Sequence, residues 1–452
     1  MNQPSISRRR LLVATGVGVV SASTLAIGSS SASQHVPDEA WSVDIDDPIY
    51  GSPTIVNNQV FIGGADGSLH AIDAVDGDDQ WSFPTDDMVL SSPGVHAETV
   101  VFGSHDGSVY AVDATTNSQL WREPTGDIVN SSPTVTEETA YVGSADGILY
   151  AFDLADGGQR WSESIGWEIH SSPVVADGTV CIGSDDGTLH VLDTADGGEH
   201  WSETLDGSIS AAPTVDEGTV IAVTEAGAIA AYNLDTGTEE WSETLPAGIH
   251  ATPTVADGIV YVGDMDGTVH ALDVGGGEAD WTASTEGPVE SSATVFGDAV
   301  IVGSYDGSLY SLDLADGSNN WTFETDDLIL SSPTVVGGRI FFGTFGGMIY
   351  AVDTDLPQSS RDSRVMQGSL GHHHEWAQTD PPDSYVGVDT TPTPSQTPTE
   401  TPPPDATPSP TPDEDSDSIP GPGIVTGVAG FGAIAYLLHR VTPTENRSSG
   451  TD

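Results

Sequence analysis

The sequence predicts an all-β protein: an eight-bladed β-propeller of four-stranded antiparallel blades, closed by an N-terminal strand that completes the last blade. Three series of residues predict it. Tryptophan stands at 41, 81, 121, 161, 201, 241, 281 and 321, always forty residues apart (Trp41, Trp81, Trp121, Trp161, Trp201, Trp241, Trp281, Trp321). Glycine keeps the same interval at 67, 107, 147, 187, 227, 267, 307 and 347. Aspartate follows it at 73, 113, 153, 193, 273, 313 and 353, with Asn233 in the remaining slot. A fixed period of about forty residues, each holding several short runs bounded by turns, marks a propeller blade.

One unit can be read element by element. Residues 49–56 are expected to form a first strand, opening with Gly51-Ser52-Pro53. Residues 60–63 form a second, and residues 68–73 a third with Leu69 and Ala71 on one face. Asp66-Gly67 between them is expected as a two-residue hairpin turn, glycine supplying the positive φ. Asp76-Gly77 makes the next turn, and Asn117, which also tolerates a left-handed backbone, replaces that glycine one unit later. Trp81 then opens a fourth strand. The last unit, from Ile329 to Asp353, has three strands and no tryptophan at 361. Trp41-Ser42-Val43-Asp44 is therefore expected to supply its fourth strand, which leaves no open edge.

The segment Gly63-x-x-Asp66-Gly67-x-Leu69-x-Ala71-x-Asp73-x-x-x-Gly77-x-x-x-Trp81 resembles the pyrroloquinoline-quinone (PQQ) propeller repeat, and recurs over roughly 320 of the 452 residues. The resemblance implies a quinoprotein-dehydrogenase-like fold. It also implies a structural role for Ala71, Asp73, Gly77 and Trp81 and their equivalents, as the motif that docks adjacent blades. Members of that family include quinoprotein dehydrogenases, the non-catalytic lipoprotein of outer-membrane barrel assembly, and extracytoplasmic sensors. The enzymes use a calcium-bound quinone, a catalytic aspartate and commonly a vicinal cysteine pair. This chain has one cysteine, Cys181, no haem-attachment motif and no insertion between blades. No catalytic residue and no cofactor are therefore expected. The reading is a non-catalytic cell-surface binding or scaffold protein, with a PQQ- and calcium-dependent quinoprotein dehydrogenase as the alternative.

Composition bounds the partners. Ten basic residues, all arginine, against 69 acidic ones give a net charge of −59. Such a chain cannot bind nucleic acid by neutralising phosphates. The self-repulsion would be severe in dilute buffer, whereas molar salt shortens the Debye length to about 3 Å. The chain reads as that of a salt-in halophile, an archaeon.

The two ends read as export and anchoring signals. Arg8-Arg9-Arg10 before an apolar stretch resembles a Tat signal over residues 1–33, with Ser31-Ala32-Ser33 as cleavage site and an uncut signal anchor as the alternative. Residues 34–354 hold the propeller. Residues 355–388 form an irregular linker with His372-His373-His374-Glu375, and residues 389–420 a stalk rich in Thr and Pro. Residues 421–441 carry the uncharged run Ile424–Leu438 and Arg440, followed by a short polar tail, 442–452. Pro420-Gly421-Pro422 before that run is similar to the PGF-CTERM sorting signal of halophilic archaea, and a plain membrane anchor is the other reading. Both place the propeller outside the cell, held to the membrane at its C-terminus.

Slots that vary while their neighbours stay fixed are released from blade packing. The residue expected to open the first strand varies most: Tyr50, Leu90, Asn130, His170, Ser210, His250, Glu290 and Leu330. The hairpin slot Ala65, His105, Ala145, Asp185, Glu225, Met265, Tyr305 and Phe345 should share its face. Together they should ring one mouth of the channel as a polar and aromatic surface for a protein, a glycan or a small ligand. Tyr50, His105, Asn130, His170, His250, Glu290, Tyr305 and Phe345 are the ligand-face candidates. His170, His250 and Glu290 are of types that suit a transition metal, although they stand on different blades. The histidines at 70, 190 and 270 alternate with tyrosines in one slot, which asks for a flat semi-polar ring rather than a ligand. Blade five departs most, with Val223, Ala226, Ala230 and Asn233. Asn130 and Asn320 sit in glycosylation sequons.

Overall fold

The structure is a computed structural model that describes residues 36–354. The signal, linker, stalk, anchor and tail, and the histidine cluster at 372–374, lie outside the described residues. Among the described residues no helix is long and apolar enough to cross a membrane.

The described chain forms eight separate four-stranded antiparallel sheets. In blade one the strands are Thr54–Val56, Gln59–Gly63, Ser68–Asp73 and Asp79–Pro84, and the next six blades repeat that order. Blade eight takes Thr334–Val336, Arg339–Gly343 and Met348–Asp353 from the end of the repeat and Asp38–Asp44 from its start. Trp41 there pairs with Ala351, as Trp81 pairs with Ala71 inside blade one. The ring is closed as the missing tryptophan at 361 requires.

Burial follows from strand position. The second strand of each blade is nearly all apolar and buried, as in Thr179–Gly183. The fourth is the most exposed, as in Gln159–Ser164 where Trp161 is the buried residue. Each hydrophobic cluster straddles two blades. Tyr141, Leu149, Ala151 and Trp161 of blade three pack on Ile169, Val180, Ile182 and Leu192 on the blade-four side. The blades meet so closely that a Cβ on Gly143 would stand 2.3 Å from Ile169.

The tryptophans dock each blade on the next. Trp241 donates its indole N–H to Val274 O at 2.7 Å, and Trp41, Trp81, Trp121, Trp161, Trp201 and Trp281 make the same bond thirty-three residues on. The ring lies on the next blade's turn, so a Cβ on Gly277 would meet Trp241 at 2.6 Å. The aspartate of the repeat accepts from that turn's backbone: Val75 N–H donates to Asp73 Oδ1 at 2.8 Å. Asn233 serves equally, accepting from Thr236 N–H at 3.1 Å.

Two local expectations need correction. The first strand is only Thr54–Val56, not residues 49–56. Residues before it turn their backbone sideways: Ser52 N–H donates to Ser92 Oγ of the next blade at 2.8 Å. The same bond links Ser92 to Ser132, Ser132 to Ser172, Thr252 to Ser292, Ser292 to Ser332 and Ser332 back to Ser52. At blade five Ala212 has no hydroxyl with which to accept. The hairpin is also longer than two residues. Gly64 to Gly67 separate the strands, with Gly64 N–H donating to Ser68 O at 3.0 Å and Gly67 at φ 83° closing the turn. The extra residues let Ala65 N–H reach Pro48 O of the preceding connection at 3.0 Å, which ties the hairpin to the mouth.

Candidate functional site

That last bond recurs around the ring and fixes the order of the mouth. His105 N–H reaches Met88 O at 2.8 Å, Asp185 reaches Glu168 O at 3.0 Å and Phe345 reaches Leu328 O at 2.9 Å. Each hairpin therefore sits between two successive connections. The mouth runs Tyr50, Ala65, Leu90, His105, Asn130, Ala145, His170, Asp185, and on around to Leu330 and Phe345.

Half of this circle is a polar arc. His105 Nε2 and Asn130 Oδ1 are in close hydrogen-bond contact. Asn130 Nδ2 meets His170 Nδ1 at 3.0 Å. His170 Nε2 then faces Glu168 Oε2 at 3.5 Å and Asp185 Oδ2 at 3.7 Å. Ser208 Oγ donates to Asp185 Oδ1 at 3.1 Å, and His250 Nδ1 lies 4.0 Å from Glu225 Oε1. Burial raises the Asp185 carboxyl above its ordinary range; the charges of Glu225 and Glu168 add to that, while His170 and Ser208 oppose it.

The other arc is aromatic. Tyr305 donates its hydroxyl to Glu290 Oε2. Tyr50 packs edge-on against Phe345, with ring centroids 5.6 Å apart. Burial raises both phenols, and the Glu290 charge raises them further.

Neighbouring candidates thus meet in pairs and chains, but His170, His250 and Glu290 do not form one cluster. His170 turns to Glu168 and Asp185, His250 to Glu225, and Glu290 to Tyr305. The Asn130 amide is engaged on both sides, and Asn320 is partly buried in the strand Asn319–Glu324 beside Trp321. In the slot shared by histidine and tyrosine, the polar tip bonds a nearby aspartate in several blades. His70 meets Asp66 at 3.1 Å, Tyr150 donates to Asp146 at 2.7 Å and His270 meets Asp264 at 2.8 Å.

Two residues of the mouth, Glu168 and Ser208, were not singled out from the sequence, nor was Trp167, which precedes Glu168 in the same connection. The signal was present. Trp167 breaks the forty-residue tryptophan register, standing where Asp47, Asp87, Asp127 and Asp327 occupy the slot. It is 63% exposed, unlike the docking tryptophans. Glu168 is the single acid in a slot otherwise holding Pro48, Met88, Ile128, Ser208, Gly248, Pro288 and Leu328.

The mouth does not suit the quinone of the dehydrogenases whose repeat the sequence resembles. That cofactor is a tricarboxylate, whereas the two variable slots hold no lysine or arginine and the mouth carries Glu168, Asp185, Glu225 and Glu290. The arginines of the described chain are engaged elsewhere: Arg122 with Asp86 and Asp106, Arg160 with Glu138 and Asp153, Arg339 with Asp353. Cys181 is fully buried and burial pushes its thiol up to about 12, so it is no partner for a reactive pair.

The family model described as outer membrane protein assembly factor BamB matches residues 4–95, 87–166, 163–247 and 266–359. The chain belongs to this PQQ_2 repeat family. Among solved structures, BamB from Moraxella catarrhalis is similar at TM-score 0.63 and 19% identity, over 70% of this chain and 100% of that one. A computationally designed protein is similar at TM-score 0.64 and 20% identity, over 70% of this chain and 99% of that one. Quinohemoprotein alcohol dehydrogenase from Comamonas testosteroni is similar at TM-score 0.59 and 15% identity, over 70% of this chain and 76% of that one. These likenesses carry the fold. Comparison with curated proteins gives no match.

Proposed function

We propose that this PQQ_2 propeller is a non-catalytic binding and scaffold protein, displayed outside the cell, that takes its ligand at the variable mouth. One observation carries the reading. The departures from the repeat concentrate in slots whose side chains meet each other around one opening rather than packing between blades. Concave propeller faces with few, convergent polar groups are suited to ligand binding. The chemistry favours a ligand that is neutral and hydroxylated, or cationic. Carboxylates supply acceptors, imidazoles supply either role, and Trp167, Tyr50 and Phe345 supply flat apolar surface. A glycan or a basic segment of a surface protein fits this description; an anionic quinone does not. Display at the cell surface rests on the signal-like N-terminus and the stalk and anchor-like C-terminus.

The test uses the full chain in molar salt, screened by thermal shift and calorimetry against oligosaccharides, polyamines and basic peptides. Saturable binding that Asn130→Ala or Tyr305→Ala weakens by about tenfold, the loss of one hydrogen bond's worth, would support the reading. Leu120→Ala, at an exposed residue on an outer strand, should leave it unchanged. Dye-coupled oxidation of an alcohol or sugar after addition of PQQ and calcium would overturn it in favour of the dehydrogenase.

A further inference from the structure

His170 stands in a setting that its place in the repeat did not indicate. Glu168, His170 and Asp185 each put one potential ligand atom within 4.8 Å of the other two. The separations of 3.5 and 3.7 Å from His170 Nε2 to the two carboxylate oxygens are too long for good hydrogen bonds. They lie close to the edge of a coordination polyhedron. With metal–ligand distances of about 2.0–2.2 Å, neighbouring donors of a tetrahedral site stand roughly 3.3–3.6 Å apart.

We propose that Glu168, His170 and Asp185 form an open, three-ligand site for a divalent transition-metal ion, zinc foremost, on the mouth of blade four. One imidazole with two carboxylates is a borderline donor set, suited to zinc, cobalt or manganese rather than to a soft or purely oxygen-seeking ion. The fourth position is open to the mouth: the His170 and Asp185 side chains are about one quarter exposed (27% and 26%) and Glu168 is largely exposed.

The surroundings of these groups supply an independent observation. Ser208 Oγ holds Asp185 by Oδ1 at 3.1 Å and leaves Oδ2 turned to His170. Asn130 holds His170 by the far nitrogen, Nδ1, at 3.0 Å, and His105 holds Asn130 in turn. Metal-bound histidines are oriented by their far ring N–H donating to an oxygen, whereas the atom placed against Nδ1 here is the Asn130 amide nitrogen. Turning the Asn130 amide end for end presents Oδ1 to His170 Nδ1–H and its Nδ2 to His105, and the Nε2 lone pair then faces the ion. The sequence agrees with the geometry. Glu168 is the single acid of its slot, and Asp185 stands where most blades carry Ala, Met or an aromatic ring.

The site is independent of any organic ligand, so its failure and that of the binding reading are separable. Zinc binding is to be measured by calorimetry and metal analysis on the full chain in molar salt. The reference is H372A/H373A/H374A, which removes the other histidine cluster. One zinc per chain is expected in that background, lost in H170A and D185N. E168Q, at a largely exposed side chain whose change leaves the fold intact, is expected to weaken binding as well. N130A, which acts only through His170, should weaken binding by about tenfold to a hundredfold. Cobalt should give visible absorption bands that disappear in H170A. His200→Ala, which removes an exposed histidine away from the mouth, should change nothing. Absence of stoichiometric zinc in the reference chain, or zinc that survives both H170A and D185N with the circular dichroism unchanged, would overturn the assignment.

Discussion

The docking belt and the mouth are made by the same forty-residue unit, yet one repeats almost without change and the other hardly repeats at all. In the belt the tryptophan takes its partners on the next blade, and the aspartate holds the turn on which that ring lies. Trp241 is 7% exposed, bonds Val274 O and lies on Gly277, where no Cβ fits. In the connection that carries Glu168 and His170 to the mouth, Trp167 is 63% exposed and lies outside every hydrophobic cluster. The same residue type is fixed in one place and free in the other. The difference teaches that constancy within this chain measures packing, and that variation marks side chains whose removal costs the fold little.

The largest effect should erase the comparison altogether. A chain of net charge −59 is expected to lose folded structure in both regions as salt falls from molar to about 0.1 M, where screening weakens. Circular dichroism unchanged over that range would contradict this. At constant molar salt the regions should separate. Trp241→Ala removes a large buried side chain and should cost about 3–5 kcal/mol in urea unfolding. Trp167→Ala should stay within about 0.5 kcal/mol of the parent.

A smaller effect concerns tyrosines whose phenols burial holds above their ordinary value near 10, among them Tyr232 and Tyr310, pushed up to about 12. A folded pKa above the unfolded one gives stability that is present below pH 10 and lost as pH rises through the folded value. Tyrosinate absorbance of the native chain should therefore lag that of the urea-unfolded chain, and the melting temperature should fall above pH 10. Coincident titrations would refute it. The smallest effect sharpens the comparison at blade five. Ala212→Ser restores the missing acceptor in the hydroxyl ring and should stabilise by about 0.5–1.5 kcal/mol. A loss of stability would mean that blade five is spaced differently from the rest.

Legibility followed the same division. The blade count, the ring closure and the role of the tryptophans could be read from periodicity, because inter-blade packing repeats every forty residues. The strand limits near the axis could not. Residues 49–53 look like strand but bond sideways through serine hydroxyls, and a hairpin written as Asp66-Gly67 extends to Gly64 because Ala65 must reach Pro48. In the mouth, the slots that vary were legible and their partners were not. His170 was compared with His250 and Glu290 because they share its slot. It faces Glu168, two residues away, and Asp185, from the other slot. A repeat aligns equivalent residues of different blades, whereas a site is made by non-equivalent residues of adjacent segments.

The most direct test of the division between belt and mouth is an alanine series at Trp167, His170, Asp185, Glu225, His250 and Glu290, with urea unfolding of each full-length variant measured in the same molar salt. We expect each to remain within about 1 kcal/mol of the parent, well short of Trp241→Ala. Losses of about 3 kcal/mol or more at several of these positions would show that the mouth carries packing load, and that its variation is blade-specific core rather than a surface shaped for a ligand.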